Sequence, residues 1–281
     1  PIEINDPETE TWDDSADVVV VGLGGAGVCA ALQARESGVD VLAIDRFEGG
    51  GATALSGGII YAGGTRYQKQ AGFTDSAEEM FRYLKAEGTL LSDTTLRQFC
   101  VESAATLDWL SGYGLGFDGT LDPSKTTYPL PGTSLYFSGN ERVEPYADAI
   151  TPAPRGHRTS DRNGEVFTGS TFFATLREAA LANGVRTLYH APVRRLIIDR
   201  SGAVVGVEVN RLDEKNGEVE RHRSLHKKFK PMIPFGQARA EKALQAVRAF
   251  EAVSGNTVRI RAKGGVILAA GGVVHNQKMM D

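Results

Sequence analysis

Residues 16–45 read ADVVVVGLGGAGVCAALQARESGVDVLAID, and this stretch decides the fold. Val18 to Val21 form an uninterrupted apolar run suited to a strand buried on both faces, and Ala26 to Glu36 read as the helix after it. Between them stand Gly22, Gly24 and Gly27. The first allows a tight turn, the second lets a pyrophosphate approach the backbone, and the third lets helix and strand pack closely. The helix N-terminus then offers N–H groups and a partial positive charge to the phosphates. A second apolar strand, Val39 to Ile44, ends in Asp45, where an acid is needed to accept hydrogen bonds from a ribose hydroxyl. Strand, glycine turn, helix, strand and acid in this order predict a dinucleotide site.

The residues after Asp45 separate the dinucleotides. A nicotinamide-binding unit would cross into another helix, but residues 46–65 run RFEGGGATALSGGIIYAGGT, a composition that excludes helix on this reading. Gly57 and Gly58 would let backbone lie against a flat ring, while Thr53 and Ser56 offer hydroxyls to phosphate or ribityl oxygens. A long flavin nucleotide needs such a second cradle. On these residues the chain resembles the fumarate reductase and succinate dehydrogenase flavoprotein superfamily. GVILAAGGVVHN at 265–276 is similar to the family's strand and Gly-Gly motif with its asparagine, and HAPVRRLIIDRSGAVVGVEVN at 190–210 to its β-hairpin. Within the superfamily the chain most resembles the FAD-dependent 3-ketosteroid dehydrogenases of the Δ4-(5α) type. GGATALSGGIIYAGG at 50–64, the spacing to YFSG at Tyr136–Gly139, and TPAPRGH at Thr151–His157 carry that likeness.

The resemblance implies an α/β, Rossmann-type FAD-binding domain with a parallel central sheet and an added β-hairpin, covering residues 1–281 with an insert at about 211–255. Family members continue into a cap domain and a C-terminal stretch that completes the flavin site. The chain is therefore expected to be the N-terminal part of such an enzyme, without its cap and incomplete for turnover alone. The implied reaction moves hydride from a steroid ring carbon to flavin N5. By motif, Gly22, Gly24, Ala26 and Gly27 would bind pyrophosphate and Asp45 the adenosine ribose. Ala52, Thr53, Ser56, Gly57 and Gly58 would take the ribityl and ring region, Val193 the adenine, and Ala270 with Gly271 the flavin from its other side. FAD is expected to be non-covalent, because families that attach the flavin carry histidine where Gly51 stands. No catalytic residue is assigned. Two rival readings share these motifs: a fumarate-reductase-like enzyme acting on a small unsaturated acid, and a non-catalytic FAD-binding fragment.

The rest of the chain fits a globular oxidoreductase. Its 281 residues are 41% hydrophobic, enough for a sizeable core, and a net charge of −4 gives no general attraction to nucleic acid. Two cysteines, Cys29 and Cys100, make no disulfide framework, and the acidic N-terminal segment is no signal peptide, so a cytoplasmic location is expected. The apolar stretch around Val266–Val274 is too short to cross a bilayer. Helices are predicted at Ser76–Glu87 and at Asp93–Gly112, the latter with Asp93 as N-cap. Leu96, Phe99, Cys100, Ala104, Leu107 and Leu110 form its core stripe. Tyr113–Gly169 is turn-rich with no sustained period and is expected to border the substrate cavity. A helix over Thr171–Asn183 ends at Gly184, before strands at Val185–Tyr189, Val193–Asp199 and Val204–Val209.

The insert from Arg211 to Gly255 is basic, with Arg221, Arg223, Lys227, Lys228 and Lys230 beside Phe229, Met232, Ile233 and Phe235. One reading makes it a peripheral membrane or partner contact suited to a lipophilic substrate. The favoured one is a surface excursion whose helix packs Ala240, Leu244, Val247 and Phe250 on its own domain. His222 and His226 are four residues apart among Arg and Lys, and no metal site is expected there. Tyr113, Tyr128, Tyr136, Tyr146 and His157 are candidate substrate contacts, although a tyrosine in such a chain is more often a core residue.

Overall fold

The computed structural model describes residues 1–160, 167–229 and 236–272. The chain divides into two units, one made of residues 1–51 and 180–281, the other of residues 52–179.

The first unit is built on a mixed seven-stranded sheet. Strands β2 (Asp14–Val21), β3 (Val41–Ile44), β8 (Arg186–Leu188) and β11 (Asn256–Leu268) run parallel in the order β11-β2-β3-β8. Beyond β11 the sheet turns antiparallel through β10 (Val204–Arg211) and β9 (Val193–Ile198), and β1 (Ile2–Glu3) pairs parallel with β9. Helix α1 (Gly25–Glu36) joins β2 to β3 and buries Gly27, Val28, Ala31 and Leu32. Small residues on that face bring the helix close to the strands, and the valine-rich strands do the rest. Val19, Val21, Leu42, Ile44, Val207, Val209 and Ile260 make one buried cluster.

The β9–β10 hairpin turns at Asp199–Gly202 as expected, with Gly202 N donating to Asp199 O at 3.0 Å. Helices α8 (Glu218–His226) and α9 (Gln237–Glu251) fill the connection from β10 to β11 and pack on each other. Val219, His222 and Leu225 are buried on α8, and Ala240, Ala243, Leu244 and Val247 on α9. The helix of the insert therefore packs on its own unit. Lys230, Met232, Ile233 and Phe235 lie outside the described residues.

The second unit carries a four-stranded sheet in the order β4 (Ile59–Tyr61), β7 (Gly156–Arg158), β6 (Leu135–Phe137) and β5 (Leu121–Lys125). Its helices are α2 (Gly51–Leu55), which begins on the last residue of the first unit, α3 (Arg66–Gln70), α4 (Ala77–Ala86), α5 (Asp93–Gly112), α6 (Tyr146–Ala149) and α7 (Gly169–Ala182), which runs on into the first unit's residues.

Four expectations change here. Residues 51–55 are helical despite the surrounding glycines, because Ala52, Thr53, Ala54 and Leu55 supply enough side-chain-bearing positions for a short helix. Ser92, not Asp93, caps α5, its hydroxyl accepting from Thr95 N at 3.3 Å. Phe99 is 46% exposed and Ser103 takes its place in the buried stripe, since a 3.6-residue period brings Cys100, Ser103 and Leu107 to one face. The turn-rich stretch from 113 to 169 supplies three of the four strands of the second sheet. Among the described residues, no helix is long and apolar enough to cross a membrane.

Candidate functional site: a glycine-lined edge of the parallel sheet

Register places the first unit's predicted residues together. Leu268, Val21 and Ile44 lie in one row across β11, β2 and β3, so the next residues of the three strands, Ala269, Gly22 and Asp45, emerge side by side at the carboxyl edge. Gly22 N donates to Ile44 O at 2.7 Å and Ala269 N to Val21 O at 2.8 Å, which pins the edge. Gly22 has φ +95°, and a Cβ there would fall 2.5 Å from Ala269 O. A Cβ on Gly27 would fall 1.9 Å from Gly22 O. Side chains are excluded at both positions by backbone that cannot yield.

Gly24 opens α1 without any side-chain cap, and the first turn holds no acidic residue. The helix's own first turn therefore adds no carboxylate to the positive end of its dipole. Ala26 is exposed in that first turn. A glycine-rich turn with Leu23 buried, a helix start without a capping side chain and close backbone approach fit a pyrophosphate.

Asp45 holds the loops as well as facing the edge. Its Oδ2 accepts from Leu23 N at 2.8 Å and its Oδ1 from Phe47 N at 2.7 Å. One oxygen ties down the glycine turn and the other the acid's own loop, and each retains a lone pair for a ribose hydroxyl. The double tie was not visible in sequence spacing. Val193 opens β9, and Ala270 and Gly271 follow β11, with Gly271 at φ +89°. The asparagine at 276 lies outside the described residues.

In the second unit, Ala52 and Thr53 lie on α2. The Ser56 hydroxyl donates to Thr53 O at 2.8 Å and accepts from Gly58 N at 3.2 Å, so it holds a turn. Gly58 has φ +66°, and a Cβ there would meet Thr168 Oγ1 at 2.6 Å and Gly169 N at 2.8 Å. A Cβ on Gly57 would come 3.0 Å from the Tyr128 ring. At both glycines the Cβ direction faces the protein's own chain.

The candidate substrate contacts divide. Tyr136 is 1% exposed and His157 0%, while Tyr113 and Tyr146 are half-buried and Tyr128 is exposed. His157 is bound between Arg155 O at 2.9 Å and Thr65 Oγ1 at 2.8 Å, and burial pushes its imidazole down to about 4. It stays neutral and structural. The TPAPRGH stretch thereby acquires a physical role: Arg155 donates to both oxygens of Asp75 at 2.9 and 2.7 Å, and both side chains are fully buried. Arg158 holds the carbonyls of Pro129, Leu130 and Thr133 at 3.2, 2.8 and 2.8 Å. These arginines organise the turn-rich stretch. Burial raises the Cys29 thiol to about 11, which leaves it inert. No group of His, Cys, Asp and Glu among the described residues could hold a metal ion.

Comparison with known proteins agrees with this geometry. Residues 17–281 match the family described as FAD binding domain. The chain is 43% identical to the 3-oxo-5-alpha-steroid 4-dehydrogenase of Comamonas testosteroni over 80% of its length and 43% of that protein's. With the digoxin reductase of Eggerthella lenta it shares 33% identity over 73% of the chain and 34% of the relative. Among solved structures, the 3-ketosteroid-Δ4-(5α)-dehydrogenase of Rhodococcus jostii RHA1, solved with 4-androstene-3,17-dione, superposes with a TM-score of 0.78 at 32% identity. That match covers 98% of this chain and 50% of that one. The chain thus spans half or less of the length of these relatives. The family match, with the glycine edge it falls on, is the conclusion the site supports: the chain belongs to the FAD binding domain family, and FAD is its cofactor.

Proposed function

We propose that the chain is the cofactor-holding part of an FAD-dependent dehydrogenase that desaturates a 3-ketosteroid. The observation that carries the substrate class is the 43% identity to the 3-oxo-5-alpha-steroid 4-dehydrogenase across 80% of this chain. The first unit is read as a Rossmann-type half: its parallel strands present Gly22, Gly24, Ala26 and Gly27 to the pyrophosphate and Asp45 to the adenosine ribose. Val193 is assigned to the adenine, and Ala270 and Gly271 to the flavin. By motif alone, Ala52, Thr53, Ser56, Gly57 and Gly58 are assigned to the ribityl chain and ring. When bound, FAD supplies the hydride acceptor.

This chain's residues contribute binding and orientation. The α1 dipole offsets phosphate charge, and Asp45 accepts from ribose while holding the glycine turn in place. Gly51 leaves no side chain able to attach the flavin covalently. Acid precipitation tests the attachment: flavin should leave with the supernatant, and yellow colour kept in the pellet would refute it. Anaerobic bleaching tests the substrate class on FAD-loaded protein extended to the relatives' full length, this chain by itself being expected not to bleach. Saturated 3-ketosteroids should bleach the flavin; reoxidation of the reduced flavin by a small unsaturated acid, with no response to steroids, would place the enzyme in the fumarate-reductase-like class instead.

A further inference from the structure

Beyond Asp45 the loop continues as Arg46, Phe47 and Glu48, and both helices of the β10–β11 insert close on it. Arg46 donates from Nε and Nη2 to the two oxygens of Glu251, at the end of α9, at 2.7 and 3.0 Å. His222 of α8 meets the same carboxylate through Nε2 at 2.9 Å, and its Nδ1 lies 3.0 Å from Nδ1 of His190. Phe47 stacks on His226 with ring centroids 3.6 Å apart. The backbone returns the contact: His190 N donates to Phe47 O and Ala191 N to Asp45 O, both at 3.0 Å. His190 holds a φ of 51°, a left-handed conformation uncommon outside glycine. The loop that carries the ribose acid is thus gripped by the insert.

The two buried imidazoles have four ring nitrogens, and geometry limits the protons they carry. Nε2 of His222 faces a carboxylate and holds one, while the paired Nδ1 atoms share another. With both rings neutral these are all the protons present. Nε2 of His190 is then a bare lone pair, buried with no hydrogen-bond partner and 3.8 Å from Oε1 of Glu48. A third proton placed there satisfies the nitrogen and faces Glu48 without disturbing the other two bonds. A fourth would set two N–H groups against each other across 3.0 Å.

We infer that the His190–His222 pair is a one-proton site whose occupancy tightens the 45–48 loop, making His190, His222 and Glu251 positioning residues for the adenosine end of FAD. The inference rests on the reading of Asp45 as the ribose acid. Burial holds His190 below the ordinary histidine value, with the neighbouring His222 adding to this and Glu48 opposing it. Burial alone would raise the Glu251 carboxyl, but the bonds from His222 and Arg46 outweigh it and keep it ionised. The other charged or titratable groups around the pair are Arg194 on β9, Arg223 and His226 on α8, and Asp45 on the loop itself. Arg223 is paired with Glu48 at 2.6 Å. A proton on the pair adds positive charge behind the loop that receives an anionic cofactor, so proton and FAD bind cooperatively and each raises affinity for the other.

The test is the FAD dissociation constant, read by flavin fluorescence quenching from pH 5 to pH 8 at constant ionic strength. The parent protein should bind about fivefold tighter at pH 5, within the tenfold per pH unit that one linked proton permits. His190→Gln should flatten that slope. Glu48→Gln, at a side chain that is 52% exposed, should flatten it too while leaving the melting temperature unchanged. His226→Gln should keep it, and Glu251→Gln should weaken binding at every pH. A parent constant that does not move with pH, or a slope retained in both His190→Gln and Glu48→Gln, overturns the inference. Asp45→Ala separates the two readings: an unchanged constant in that variant removes the ribose assignment, whatever the parent's slope.

Discussion

The two units solve the same problem, fixing irregular backbone, by opposite means. At the sheet edge of the first unit the turn is shaped by what is missing: Gly22 and Gly27 sit where any Cβ would strike backbone, and strand-edge hydrogen bonds hold the chain. In the second unit the stretch around β5, β6 and β7 is shaped by what is added. Arg155, Arg158, His157 and Glu141 are buried polar groups, and the chain folds around them. The Gly22 and Gly27 contacts carry no titrating group, whereas geometry built on buried ionisable groups, in the second unit and around Glu251 in the first, depends on their protonation and on every partner being present.

The largest effect should come from breaking the second kind. Arg155→Met leaves Asp75 as a buried charge without its fork, a loss of about 3–5 kcal/mol in chemical denaturation; a midpoint within error of the parent would show that the ion pair is expendable. Acid should act on the same unit. His157 is neutral when folded down to about 4, whereas the unfolded imidazole protonates near 6.5. The unfolded state therefore binds more protons between those values, and stability falls as pH drops through that window, by about 3 kcal/mol in full. His157→Gln should remove most of this dependence, and equal slopes in parent and variant would contradict it.

Gly27→Ala attacks the first kind. The methyl must displace the Gly22 carbonyl, so a loss of about 1–3 kcal/mol is expected, with FAD affinity falling at least tenfold. Retention of both would mean α1 can shift away from β2. Smallest of all, Leu90→Ser changes a fully exposed side chain and should stay within about 0.5 kcal/mol by thermal melt.

The same contrast explains what the sequence disclosed. Strand β2, helix α1, strand β3 and Asp45 were legible because local periodicity and glycine spacing encode them directly, while the register that brings Ala269 beside Gly22 came only from the structure. The second sheet was not legible. Strands of three residues, such as Gly156–Arg158, carry no period, and their partners depend on ion pairs such as Asp75 with Arg155 that are distant in sequence. Short-range signals also misplaced the α5 cap, since Ser92 and Asp93 are both good capping residues and only the hydroxyl contact to Thr95 decides between them. His222 was weighed only with His226 as a metal site, and His190 only as the opening residue of the hairpin stretch. Nothing in their spacing announces that one faces the other.

The route of the chain from β10 to β11 carries a further consequence. These strands are direct antiparallel neighbours, yet roughly forty residues separate them, against a handful between β9 and β10. Lengthening a connection about tenfold adds only about 2 kcal/mol of closure entropy, because that term grows with the logarithm of length. Asn210 offsets part of it at the neck of the insert, donating to Glu251 O and Ser254 O at 2.8 Å each. A hairpin with so small a closure penalty is a place where a chain can acquire two helices without losing its strand register, and so where the Asp45–Glu48 loop can gain a new neighbour.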